Sequence, residues 1–166
     1  MRITDFKHAM QSEFEMTDLG IMKYFLGIEV HQSAKGIFVY QQKYAADIIK
    51  RFCMEDYNPT ETPIPLDTKL SKQDEGHIVD STLYKSLVGS LLYIIATRPD
   101  IMYATNFVSR LMESPKDSHW NMEKSIMRCV VDTLNFVLCY TQFHDNHLSG
   151  YTNSYFARSL DDQKIT

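Results

Sequence analysis

The chain has 166 residues, 44% of them hydrophobic and 23% charged, with only 6 Gly and 5 Pro, which excludes disordered and fibrous classes and suits one ordinary domain or pieces of two. Its formal net charge of −4 lacks the basic excess of a free-standing nucleic-acid binder and leaves room only for a local basic face.

From Thr4 to Met16, Phe6, Ala9, Met10 and Phe14 recur at helical spacing behind a capping Thr4 or Asp5, so a helix is predicted, ending near Leu19-Gly20. The apolar runs Tyr24 to Val30 and Ile37 to Tyr40, separated by Ser33-Ala34-Lys35-Gly36, predict a β-hairpin. Gln42 to Met54 returns to helical spacing through Tyr44, Ile48 and Phe52, with Lys43, Lys50 and Arg51 outside. Pro59, Pro63 and Pro65 force an extended path, and the polar stretch from Leu66 to Gly76 reads as a flexible linker.

Asp80 or Ser81 caps a further helix whose stripe of Tyr84, Leu87, Val88, Leu91, Leu92 and Ile95 faces a core. Pro99 suits the first turn of the next helix, through Met102, Phe107, Val108 and Leu111. Ser118 is the expected cap of a helix carrying Trp120, Ile126, Met127 and Val130. Phe136 to Tyr140 and Leu148 to Phe156 then read as two strands across a polar turn. The longest apolar run, Ser90 to Ala96, is far shorter than the ~20 residues of a membrane span. Cys53, Cys129 and Cys139 form no Cys-x-x-Cys pair and no signal-peptide pattern opens the chain. Reduced thiols and an intracellular location, cytoplasm or nucleus, not secreted and not membrane-bound, are therefore expected.

Several stretches together resemble one family. Phe14-Glu15-Met16-Thr17-Asp18-Leu19-Gly20, Tyr24-Phe25-Leu26-Gly27-Ile28-Glu29-Val30, Leu87-Val88-Gly89-Ser90-Leu91-Leu92-Tyr93, Ala96-Thr97-Arg98-Pro99-Asp100-Ile101 and Gly150-Tyr151-Thr152 resemble, in order, the Pol polyprotein of copia-type retrotransposons. The matching region is the C-terminal part of the reverse transcriptase running into ribonuclease H. The resemblance implies an α+β fold, mostly α, with thumb- and connection-like helices and two small antiparallel β-hairpins. It also implies four segments: 1–57, the end of the palm with a primer-grip-like hairpin and first thumb-like helix; 58–79, an extended linker; 80–140, thumb- and connection-like helices; and 141–166, a truncated start of ribonuclease H.

In that family the Tyr-Val-Asp-Asp turn that holds catalytic magnesium lies upstream of the Phe-Glu-Met-Thr-Asp-Leu-Gly segment, so the polymerase metal site is expected to be missing here. The family pattern Gly-Tyr-Thr-Asp-Ser-Asp-Trp-Ala-Gly falls on Gly150 to Arg158, placing Asn153 and Tyr155 where it has acidic residues. An amide does not supply the charge a magnesium site takes from carboxylates. No catalytic residue, metal or cofactor is therefore expected in this chain, although the intact family enzyme would use Mg2+. Asp161-Asp162 follows no apolar strand and reads as loop, and His144 and His147 lack a cysteine partner at zinc-ligand spacing.

The surviving role is expected to be a weak, sequence-independent grip on an RNA/DNA duplex through Lys43, Lys50, Arg51, Lys85 and Arg98, or else binding of a protein partner through exposed helices. One departure bears on folding. The family tends to have Lys-Gly-Thr where this chain has Val131-Asp132-Thr133, so a left-handed helix end forced on Asp132, costing roughly 1 kcal/mol, is expected.

Overall fold

A computed structural model describes residues 2–65, 68 and 70–141. The expected α+β architecture is observed, with helices predominating over a four-stranded antiparallel sheet of order β1-β2-β3-β4. The elements are α1 (Ile3–Glu13), β1 (Tyr24–Phe25), β2 (Ile28–Ser33), β3 (Gly36–Tyr40), α2 (Gln42–Arg51), α3 (Ser81–Ile94), a 3-10 turn (Pro99–Ile101), α4 (Met102–Ser109), α5 (Asp117–Asp132) and β4 (Leu138–Tyr140).

The core lies among α2 to α5. Ile48 of α2, Tyr84, Leu87, Val88 and Leu91 of α3, Val108 of α4 and Ile126, Met127 and Val130 of α5 are each at most 1% exposed. α3 starts where Asp80 accepts from the Thr82 and Leu83 amides at 2.8 and 3.4 Å, which satisfies two of the first-turn N–H groups. Its Tyr84, fully buried, donates its hydroxyl to the Val108 carbonyl at 3.0 Å and so joins α3 to the end of α4.

The end of α2 is built on a left-handed residue. Cys53 sits at φ +53, while its N–H reaches the Lys50 carbonyl (3.1 Å) and that of Met54 reaches the Ile49 carbonyl (2.9 Å). This is the paired bonding of a Schellman end, with Met54 buried beneath it.

Three local expectations change in the folded chain. The run Tyr24 to Val30 is not one strand: Leu26 and Gly27, at φ +47 and +78, form a two-residue turn that pairs Phe25 with Ile28, the arrangement preferred by right-twisted strands. The strand near Phe136–Tyr140 does not stand apart from the first hairpin, because Leu138, Cys139 and Tyr140 pair with Val39, Phe38 and Ile37 of β3. Gly36, at φ +142, permits this approach, since a Cβ there would run into the Tyr140 carbonyl. The partner strand expected over Leu148 to Phe156 lies outside the described residues.

The third change concerns the polar stretch expected as linker. Leu70 is buried in the core, and the segment behind it is fastened to the start of α5. Asp74 accepts from Ser118 Oγ at 3.1 Å, and the fully buried His119 sets Nε2 3.0 Å from the Ser71 carbonyl. The Val79 amide reaches the Pro115 carbonyl, and that of Asp117 reaches the His77 carbonyl. Ser118 therefore does not cap the helix; His119 Nδ1 accepts from the Lys116 amide at 3.1 Å instead. Asp117, in the first turn of α5, also complements the helix dipole.

The strain expected at Asp132 is also absent. Asp132 closes α5 in helical geometry, and Thr133 follows at φ −119. Thr133 donates its hydroxyl to the Cys129 carbonyl at 2.6 Å, and the cation of Arg98 satisfies the Thr133 carbonyl beyond it, so the helix end needs no left-handed residue.

Candidate nucleic-acid interface

α2 carries the basic surface. Its buried side is Ala45, Ile48 and Ile49, and the 3.6-residue period sends Lys43, Asp47, Lys50 and Arg51 to the opposite, exposed side. Lys43 and Lys50 are separated by two turns, and Arg51 adjoins the second. Lys50 and Arg51 also lie in the last turn, where cations are favoured by the helix dipole. Asp47 is the one carboxylate among them.

The hairpin is fixed next to this helix. Glu29 of β2 accepts from the Lys43 amide at 3.0 Å, placing a carboxylate on the N-terminus of α2. The amide nitrogen of Gln41, directed toward α3, donates to the Tyr93 and Ile94 carbonyls at 3.3 and 3.2 Å. Tyr93 donates its hydroxyl to the Leu26 carbonyl and stacks edge-on against Tyr44, ring centroids 4.8 Å apart. The β1–β2 turn, α2 and α3 thus meet around one tyrosine.

The five candidate cations do not act as one set. Lys43, Lys50 and Arg51 share α2, and Lys85 is exposed on α3. Arg98 is 6% exposed and is fully engaged: Nε and Nη2 grip Asp100 at 2.9 and 2.7 Å, Nη1 donates to the Thr133 carbonyl at 3.0 Å, and Nη2 reaches Thr133 Oγ1 at 2.6 Å. Its guanidinium also lies 5.2 Å from the centre of the Phe136 ring. Arg98 is therefore corrected from a phosphate contact to a clasp between the α3–α4 corner and the end of α5. The bond from Arg98 holds the Asp100 carboxyl below the usual carboxylate range. The Arg-x-Asp spacing was the available signal, since a rigid fork two residues from a carboxylate pairs with it readily. Lys23 and Lys35 are exposed beside the sheet, where no helical spacing marks them in the sequence.

Among the described residues no three His, Cys, Asp or Glu side chains are grouped to hold a metal ion, and no helix is long and apolar enough to cross a membrane. Asn153, Tyr155, His144, His147 and Asp161-Asp162 lie outside the described residues.

The sequence profile of reverse transcriptase (RNA-dependent DNA polymerase) matches residues 1–66, which span α1 through α2. The chain is 32% identical, over 95% of its own length, to the retrovirus-related Pol polyprotein from transposon RE2 of Arabidopsis thaliana, of which it covers 11%. It is 33% identical, over 98% of its length, to the retrovirus-related Pol polyprotein from transposon TNT 1-94 of Nicotiana tabacum, of which it covers 13%. An uncharacterized mitochondrial protein of Arabidopsis thaliana, AtMg00810, is 38% identical over 75% of the chain, which covers 52% of it. The chain thus spans about a tenth of the two polyproteins and half of the mitochondrial protein. No solved structure matches it.

Proposed function

Because the chain belongs to the family of copia-type retrotransposon Pol polyproteins and includes part of their reverse-transcriptase region, we propose that it is a duplex-holding portion of an RNA-directed DNA polymerase that supplies no catalytic carboxylate of its own. The observation that carries this reading is the exposed row Lys43, Lys50 and Arg51 on α2, set beside a hairpin anchored by Glu29 and Tyr93. Cations so placed attract a phosphate backbone without reading its sequence, by releasing counterions.

Two-metal phosphoryl transfer needs several converging carboxylates. The amide of Asn153 and the phenol of Tyr155, at the positions where the family pattern has acidic residues, do not supply the negative charge that a magnesium site takes from carboxylates. The chemistry of the intact family enzyme, which Mg2+ would supply, is therefore assigned to other residues than these.

The test is fluorescence anisotropy with a labelled RNA–DNA duplex across a salt series. Binding that weakens as salt rises is expected, with a slope reduced by about two when Lys50 and Arg51 become alanine. Flat anisotropy at low salt removes the duplex reading. Primer extension with Mg2+ and nucleotides that follows the purified protein through successive columns removes the claim about carboxylates.

A second reading, a protein partner, is favoured by one surface. α1 buries none of its residues, and Ile3, Phe6, Phe14, Leu19 and Ile21 along 3–21 are 50–93% exposed, an apolar area of the kind that marks contact sites. Monodisperse light scattering without apolar-dye binding counts against it.

A further inference from the structure

The sheet presents an aromatic face that the duplex reading does not use. In antiparallel pairs, residues opposite one another share a side. The register pairs Tyr24 with Glu29, Glu29 with Tyr40 and His31 with Phe38, so Tyr24, His31, Phe38 and Tyr40 lie on one face. His31 and Phe38 are in ring contact, centroids 6.1 Å apart.

Two hollows open over this face. One, of about 310 Å³, is lined by His31, Phe38 and Tyr40 together with Phe136. The other, of about 540 Å³, is lined by Tyr24, Glu29, His31 and Tyr40 among others. They meet at His31 and Tyr40, forming one track across the strands. Tyr24 and Phe136, at its two ends, are each 56% exposed.

The segment that carries most of the track has a charge opposite in sign to that of the whole molecule, and one of its cations, Lys23, lines the larger hollow. Between Lys23 and Arg51 there are five lysines and arginines against two carboxylates, in a chain of formal net charge −4. One of the two carboxylates, Glu29, is half-buried and accepts from the Lys43 amide, which offsets its repulsion of an anion. Lys23 is exposed beside the middle of β2, its carbonyl accepting from the Val30 amide at 2.8 Å, and Lys35 is exposed in the turn that follows β2.

We propose that this face stacks the unpaired bases of a single-stranded nucleic acid, with Lys23 and Lys35 set along its phosphates. Rings exposed at Tyr24, His31 and Phe136 and half-buried at Phe38 and Tyr40, with lysines beside them, meet what single strands require: π-surfaces for successive bases and positive charge for the backbone. A paired duplex hides its base faces and cannot use the rings. The inference rests on the nucleic-acid reading given above but assigns a different occupant to a different surface.

The experiment compares a labelled oligothymidylate with a blunt duplex of equal length, binding to the full chain by anisotropy. His31→Ala, an exposed position, and Phe38→Leu, which keeps apolar bulk but removes the ring, are each expected to weaken oligothymidylate binding roughly five- to tenfold or more and to leave duplex binding within twofold. Alanine at Lys50 and Arg51 is expected to weaken duplex binding more than oligothymidylate binding. Oligothymidylate binding unchanged in both ring variants, with duplex binding intact, overturns the stacking proposal and spares the duplex reading. Absence of binding to either probe overturns both.

Discussion

Tyr93 of α3 donates its hydroxyl to the carbonyl of Leu26, a non-glycine residue held at φ +47 at the tip of the β1–β2 turn. The neighbouring Gly27 leaves just enough room, since a Cβ there would sit 3.4 Å from the Tyr93 ring. The phenol thus holds a left-handed turn against the helices. Tyr93→Phe is expected to cost about 1 kcal/mol, with faster amide exchange at Ile28 and Phe25 and none gained in α3. Equal acceleration throughout the chain would show that the bond does not fix the turn.

Cys53 is expected to be improved by glycine. Its left-handed backbone costs a side-chain-bearing residue roughly 1 kcal/mol or slightly more, and glycine takes it freely. Cys53→Gly keeps both amide bonds of the helix end and should raise the urea midpoint by the equivalent of about 1 kcal/mol. Cys53→Val, branched at Cβ, should lower it.

Glu123 is completely buried on α5, and neither carboxyl oxygen has a hydrogen-bond partner. Burial pushes its pKa up to about 9 from the ordinary 4.5. A raised acid pKa favours the protonated folded state, so stability is greatest below about pH 4.5 and declines as pH climbs toward 9. At pH 7 the loss is on the order of 3 kcal/mol. Glu123→Gln should flatten this decline in urea titrations between pH 5 and 9, and Glu123→Met should stabilise the neutral-pH protein. A parent chain whose stability is constant over that interval would contradict the assignment.

Arg98→Lys is expected to destabilise by about 2–3 kcal/mol, because an ammonium cannot reproduce the fork that serves Asp100 and Thr133 together. The pair also sets an acid limit: Asp100's lowered pKa contributes stability above its ordinary range that is lost as pH falls through the folded value. Duplex affinity of the folded variant should match that of the parent. A lysine variant of unchanged stability but weaker binding would return Arg98 to the phosphate surface.

Much of the helical core was legible because local signals agree with tertiary ones. Asp80 caps α3 as its side chain suggests, and the stripe from Tyr84 to Leu91 is buried as its spacing requires. What stayed hidden depends on partners far along the chain. Ser71 and Asp74 look like linker residues until Ser118 and His119 are brought to them. Arg98 looks like a surface cation because its other acceptor, Thr133, is 35 residues away. The pairing of β4 with β3 has no local mark beyond Gly36, whose missing side chain admits the Tyr140 carbonyl. At the candidate interface, the outer cations of α2 follow from helical period alone, whereas the aromatic face of the sheet appears only when strand register is known.

That late pairing has a kinetic consequence. β3 emerges during synthesis with one edge open, and its partner is made only after α2 to α5 have been translated. Closing so large a loop is slow compared with forming the intervening helices. The helical part should therefore assemble first and bring the two strand segments together, leaving the edge of β3 open to self-association in any product that terminates before Leu138.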